Sequence, residues 1–192
     1  VGSDFIGEEI NDISDLQPAI KEIVRYINEE DKDFTIRIHA GENDSLRNNV
    51  RKSIMCVKES LEKEQEMPRC RIGHGLYSED LNTESGKELL KLMKDTGVVI
   101  EFQLTSNVRL NNLSDLKNHP IKIFLKNGIK CVQGTDGGGM YGSDTFDEQL
   151  ALQNLLELSD DELEELAGPV PFLAHAVMIL SLGVFELGLT YG

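Results

Sequence analysis

The chain has 192 residues, 40% apolar and 28% charged, an ordinary composition for a soluble globular protein with one substantial core. Its net charge of -15 leaves no basic stripe to meet phosphates and argues against a nucleic-acid partner. Three cysteines, Cys56, Cys70 and Cys131, are odd in number, widely spaced and without a CxxC pair. Reduced thiols in a cytoplasmic enzyme are expected from that pattern, rather than a disulfide framework. The chain starts at Val1 with no signal-peptide pattern before its first strand. A start without Met is the expectation for a piece of something longer.

Strand and helix patterns alternate along the sequence, the signature of a parallel α/β architecture. Residues 1–6 read as a strand. Residues 16–30 carry Leu16, Ile20, Ile23, Val24 and Ile27 on one helical face. A strand over 34–39 follows, then a helix over 45–66 with Leu46, Val50, Ile54, Val57 and Leu61 on one side. Residues 71–74 form a short strand, 83–96 an amphipathic helix closed by Gly97, and 98–102 a fourth strand. A helix after Pro120 ends near Asn127-Gly128, and 129–135 is the fifth strand. Helices are expected over 146–158 and 159–167, the second opened by a Ser159/Glu162 capping box. Residues 169–185 are almost wholly apolar, yet Pro171, Gly183 and Glu186 suit a buried closing helix better than a membrane span of about 20 residues. One domain over 1–167 and an apolar tail over 168–192 are therefore expected.

Three motifs follow strand ends in order: His39-Ala40-Gly41-Glu42, Arg71-Ile72-Gly73-His74-Gly75 and Gly134-Thr135-Asp136. Strand ends facing one mouth are where a (β/α)-barrel keeps its chemistry. An imidazole there binds zinc well, and Gly41 permits the tight turn that brings Glu42 to the same cavity. His74, between two glycines, is accessible as a base or electrostatic support. Asp136 is placed to hold a metal or orient a water, or simply to cap the glycine run after it. That run, Gly137-Gly138-Gly139, lacks the Lys-Ser/Thr of a phosphate-binding P-loop.

Together these motifs resemble the adenosine deaminase family of zinc amidohydrolases over roughly residues 1–167. Asp4-Phe5-Ile6-Gly7-Glu8-Glu9 is similar to its D-L-A-G-x-E stretch, and Glu101–Asn107 to its E-x-C-P-x-S-N. His119-Pro120-Ile121 matches its H-P-I. The resemblance implies an α/β fold, a partial (β/α)8 TIM-type barrel of about five parallel strands with intervening helices. It implies zinc as cofactor, held by His39 and Asp136, and a small-molecule purine as partner. It implies that Glu42 protonates the purine ring nitrogen and that Gly7 offers its N–H to the purine. His74 would assist a zinc-activated water in attacking the carbon that bears the amine. Hydrolytic deamination of a purine nucleoside or base is the function so implied. The nucleobase deaminases of the other zinc fold carry H-x-E and P-C-x-x-C, both absent here.

The sequence departs from the family at two points. Its opening H-x-H pair of zinc ligands has no counterpart in the 192 residues, and its Asp-Asp is Asp136-Gly137 here. These departures motivate a second expectation, a catalytically inactive barrel fragment serving as a binding or oligomerisation module. Such a module would self-associate through open sheet edges. A third is an amidohydrolase attacking a different amide or amine.

Overall fold

Five strands form one parallel sheet in the order β1-β2-β3-β4-β5, in a computed structural model that describes residues 2–7, 9–110, 116–155, 157, 159 and 161. The strands are β1 (Gly2–Phe5), β2 (Thr35–Ala40), β3 (Cys70–His74), β4 (Val99–Phe102) and β5 (Lys130–Gln133). Between them run α1 (Gln17–Glu29), α2 (Asn49–Glu59), α3 (Glu84–Thr96), α4 (Leu104–Arg109) and α5 (Ile121–Lys126). After β5 come the single-turn α6 (Gly138–Tyr141) and α7 (Thr145–Leu155). Each strand pairs with the next one in sequence, so all five C-terminal ends lie along one edge. This is part of a (β/α)8-type barrel. The expected helix over 159–167, its capping box and the apolar tail over 168–192 lie outside the described residues.

Two faces of the sheet have opposite chemistry, because side chains alternate along a strand. Ile36, Ile38, Ala40, Ile72, Ile100 and Phe102 point to the helix side and are fully or almost fully buried. There they join Ile20 and Val24 of α1, Val50, Ile54 and Val57 of α2, and Leu89 and Met93 of α3 in one apolar cluster. The other face carries charge. Arg71 Nη1 donates to Glu101 Oε2 at 2.8 Å, Arg37 Nη2 to Glu101 Oε1 at 2.5 Å, and Arg37 Nη1 to Asp4 Oδ2 at 2.6 Å. In-register pairing of Asp4 with Arg37 and of Arg37 with Arg71 sets this ladder across four strands.

The helix expected over 45–66 is shorter, and side chains explain both ends. At the front, the N–H groups of residues 41–43 are taken by Glu9, and Asn43 Oδ1 accepts from Ser45 N at 2.9 Å, favouring a turn. At the back, Cys56 O accepts from Ser60 Oγ at 2.7 Å and from Gln17 Nε2 at 3.1 Å, and the helix stops at Glu59. The α3 boundaries agree closely with expectation. Thr83 Oγ1 accepts from Gly86 N at 3.1 Å at the start, and left-handed Gly97 ends the helix.

Candidate active site

Four of the five residues singled out in the sequence sit at or just beyond the C-terminal ends of β2, β3 and β5. His39 is the penultimate residue of β2, Glu42 follows two residues beyond that strand, His74 ends β3, and Asp136 follows β5. Gly7, the fifth, lies exposed just past β1 at the same edge, with open space around its Cα. Ligating atoms of Glu42, His74 and Asp136 lie within 4.8 Å of one another. His39 stands beside this trio, its ring 5.2 Å centroid to centroid from that of His74 and nearly edge-on to it. It lies flat against Gly73, where a Cβ would meet the imidazole at 3.2 Å, so any larger residue would displace the ring.

Backbone conformation marks the same place. His74 has φ +69° and Asp136 φ +56°, left-handed values that cost a residue bearing a Cβ and that concentrate at functional sites. Gly41 at +76° and Gly75 at +59° flank them with residues for which that region is free.

Hydrogen bonds orient the His74 ring. Its Nδ1–H donates to Asn107 Oδ1 at 3.1 Å, which leaves the Nε2 lone pair facing Glu42 Oε1 at 3.8 Å. Asn107 is fully buried on α4, and α4 is itself fastened from behind. Glu148 of α7 accepts from Leu104 N at 3.0 Å and Thr105 N at 3.1 Å, capping the start of that helix. Burial raises the Glu148 pKa against the opposing pull of these donors. Burial also lowers the pKa of His74, partly offset by Glu42 and Asp136 and reinforced by His39, so a neutral imidazole is favoured. His119, the residue before Pro120, accepts from Ile121 N at 3.2 Å and caps α5, with its pKa pushed down to about 3 by burial.

The donors present fit a metal ion. Nε2 of both His39 and His74 is buried without a hydrogen-bond partner, although His39 Nε2 lies 3.4 Å from Asp4 Oδ1. A buried polar atom of that kind calls for a ligand. One imidazole and two carboxylates with ligating atoms within 4.8 Å of one another, and a second imidazole beside them, are a donor set that suits a metal ion.

The adenosine deaminase family model matches residues 1–169. The chain belongs to the adenosine deaminase family. An adenosine deaminase of Plasmodium gallinaceum is 34% identical over 148 residues, covering 77% of this chain and 35% of that protein. One from Plasmodium falciparum (isolate 3D7) is 32% identical over 141 residues, 73% of this chain and 33% of its own length. The chain thus spans about a third of these curated relatives. Among solved structures, an adenine deaminase from Arthrobacter aurescens superposes with a TM-score of 0.62 at 19% identity, over 96% of this chain and 52% of that one. An Arabidopsis N6-mAMP deaminase gives 0.56 at 15% identity, over 93% and 57%. At that identity these likenesses speak to the fold.

Sequence reasoning missed three supports of this deaminase-family site: Asn107, Glu148 and Glu9. Asn107 was visible only as part of the Glu101–Asn107 motif, without a task. Glu148 and Glu9 act on backbone 44 and 33 residues away, and no local pattern announces such a bond.

Proposed function

We propose that this chain supplies the Glu42, His74, Asp136 and His39 side of a zinc-dependent active site that hydrolytically deaminates a purine. The convergence of Glu42, buried His74 and Asp136 just beyond neighbouring strand ends, with left-handed backbone at His74 and Asp136, carries this reading, with family membership behind it. His39 and Asp136 would hold the ion through imidazole Nε2 and a carboxylate oxygen. Bound there, zinc lowers the pKa of a coordinated water and so supplies a nucleophile near neutral pH.

The chain's own residues supply the rest. His74, fixed by Asn107 with its Nε2 lone pair toward the cavity, holds a proton from the attacking water at Nε2. Glu42, partly open to solvent, delivers a proton to the purine ring nitrogen as the amine-bearing carbon turns tetrahedral. Gly7, having no side chain to obstruct it, offers its N–H to the purine edge. A glycine at 137 places backbone where the family has a second aspartate, so base recognition depends on other groups. The free, buried thiols of Cys56 and Cys70 accord with an intracellular location, and no helix among the described residues is long and apolar enough to cross a membrane.

The test is release of ammonia from adenosine or adenine, or of methylamine from N6-methyl-AMP, by the full-length gene product. Release from at least one is expected, abolished by a chelator and restored by zinc. No release from any of them by zinc-loaded protein would contradict the proposal and favour the non-catalytic module.

A further inference from the structure

Glu9 is a carboxylate 6% exposed, two residues beyond Gly7. Its charge is met by N–H dipoles instead of a cation among the described residues. Oε1 accepts from Gly41 N at 2.6 Å and from Asn49 Nδ2 at 3.3 Å. Oε2 accepts from Glu42 N at 2.7 Å, with Asn43 N at 3.4 Å. Three successive backbone N–H groups, turned inward by left-handed Gly41, thus form an anion-binding nest with Glu9 in it. The turn has little room to relax. A Cβ on Gly41 would come within 2.5 Å of Tyr77 O and 2.9 Å of Val50 Cγ2.

The other end of Glu9 is anchored too. Asn49, 2% exposed at the start of α2, accepts from Ile13 N at 3.2 Å and donates to Asn11 O at 3.4 Å. The segment after β1 and the turn after β2 are therefore one hydrogen-bonded unit, with Gly7 on one side and Glu42 on the other. Charge-assisted bonds of this length are the strong class. Both carboxylate oxygens of Glu9 are taken up by these donors, so its contribution is to geometry.

We propose that Glu9 is the positioning residue for Glu42: its carboxylate fixes the Gly41–Glu42 backbone and ties it to the loop carrying Gly7. The catalytic part of this inference rests on the proposed deaminase function; the clamp itself does not. Glu9→Gln keeps the volume but turns an NH2 group toward at least one of the three backbone donors.

Hydrogen–deuterium exchange of the full-length gene product reads the clamp directly. In Glu9→Gln, a peptide covering residues 40–43 exchanges about tenfold faster or more, as expected for loss of a bond to a charged acceptor, while β3 peptides keep their rates. The same variant loses roughly tenfold in kcat, with KM changed by less than about twofold, because the proton donor and not the binding surface is displaced. Unchanged exchange at 40–43 would overturn the clamp. Faster exchange with unchanged kcat would overturn positioning. Faster exchange in a protein inactive as wild type would leave the clamp standing and remove the deaminase reading instead.

Discussion

Glu42→Gln lowers kcat for purine deamination by roughly 10²–10⁴-fold, the range associated with loss of a positioned proton carrier. The side chain faces His74 Nε2 at 3.8 Å, while its anchoring to Glu9 runs through its backbone N–H. Glutamine therefore keeps the volume, the turn and the clamp, and removes only the transferable proton. Zinc content and melting temperature stay at wild-type values, which separates this result from a folding defect. Steady-state kinetics on the full-length gene product, with metal analysis alongside, makes the measurement. A variant retaining full turnover would exclude Glu42 as the proton donor.

Glu101→Ala has the largest expected effect on stability. Glu101 is 5% exposed and lies between the guanidinium groups of Arg37 and Arg71, with Gln103 Nε2 a further donor at 2.9 Å. Removing it leaves Arg71 without its carboxylate partner beside Arg37, which among the described residues retains only Asp4. Breaking a buried pair costs roughly 3–5 kcal/mol, and the lower end applies because Arg37 keeps a route to solvent and to Asp4. Urea denaturation of the purified protein gives that loss as a lower midpoint.

The pH dependence follows from the same group. Burial pushes the Glu101 pKa up, but the two arginines outweigh it and hold the carboxyl below its ordinary value. A carboxyl depressed in the folded state contributes stability that is complete above its unfolded pKa, about 4.3. That stability fades as pH falls through the folded value. Wild-type protein therefore loses stability below about pH 4 more steeply than Glu101→Ala, and the difference between them narrows in acid.

The sheet was legible because its apolar face is made of short β-branched and aromatic runs such as Ile36-x-Ile38 and Ile100-x-Phe102, which read as strands whatever packs on them. His39, Glu42, His74 and Asp136 stood out because glycines beside strand ends are rare without a reason, and the left-handed values at 41, 74, 75 and 136 supply that reason. The charged face was harder to read. Arg37, Arg71 and Glu101 lie far apart in sequence and acquire meaning only when parallel register brings them together. Helix α6 was missed because Gly138-Gly139-Met140-Tyr141 opposes helix formation by propensity. It is a single turn held by Met140 N and Tyr141 N donating to Gly137 O. Glu9 was read only as a motif letter; its task became visible once two loops 32 residues apart met at its carboxylate.

The most direct measurement is mass spectrometry of the purine product after turnover by the zinc-loaded, full-length gene product in oxygen-18-labelled water. Hydrolytic deamination at this site predicts one labelled oxygen on the carbon that carried the amine, with one amine released for each product molecule, ammonia from adenosine or adenine and methylamine from N6-methyl-AMP. A product without the label, or no product from any of the three purines, would contradict the account.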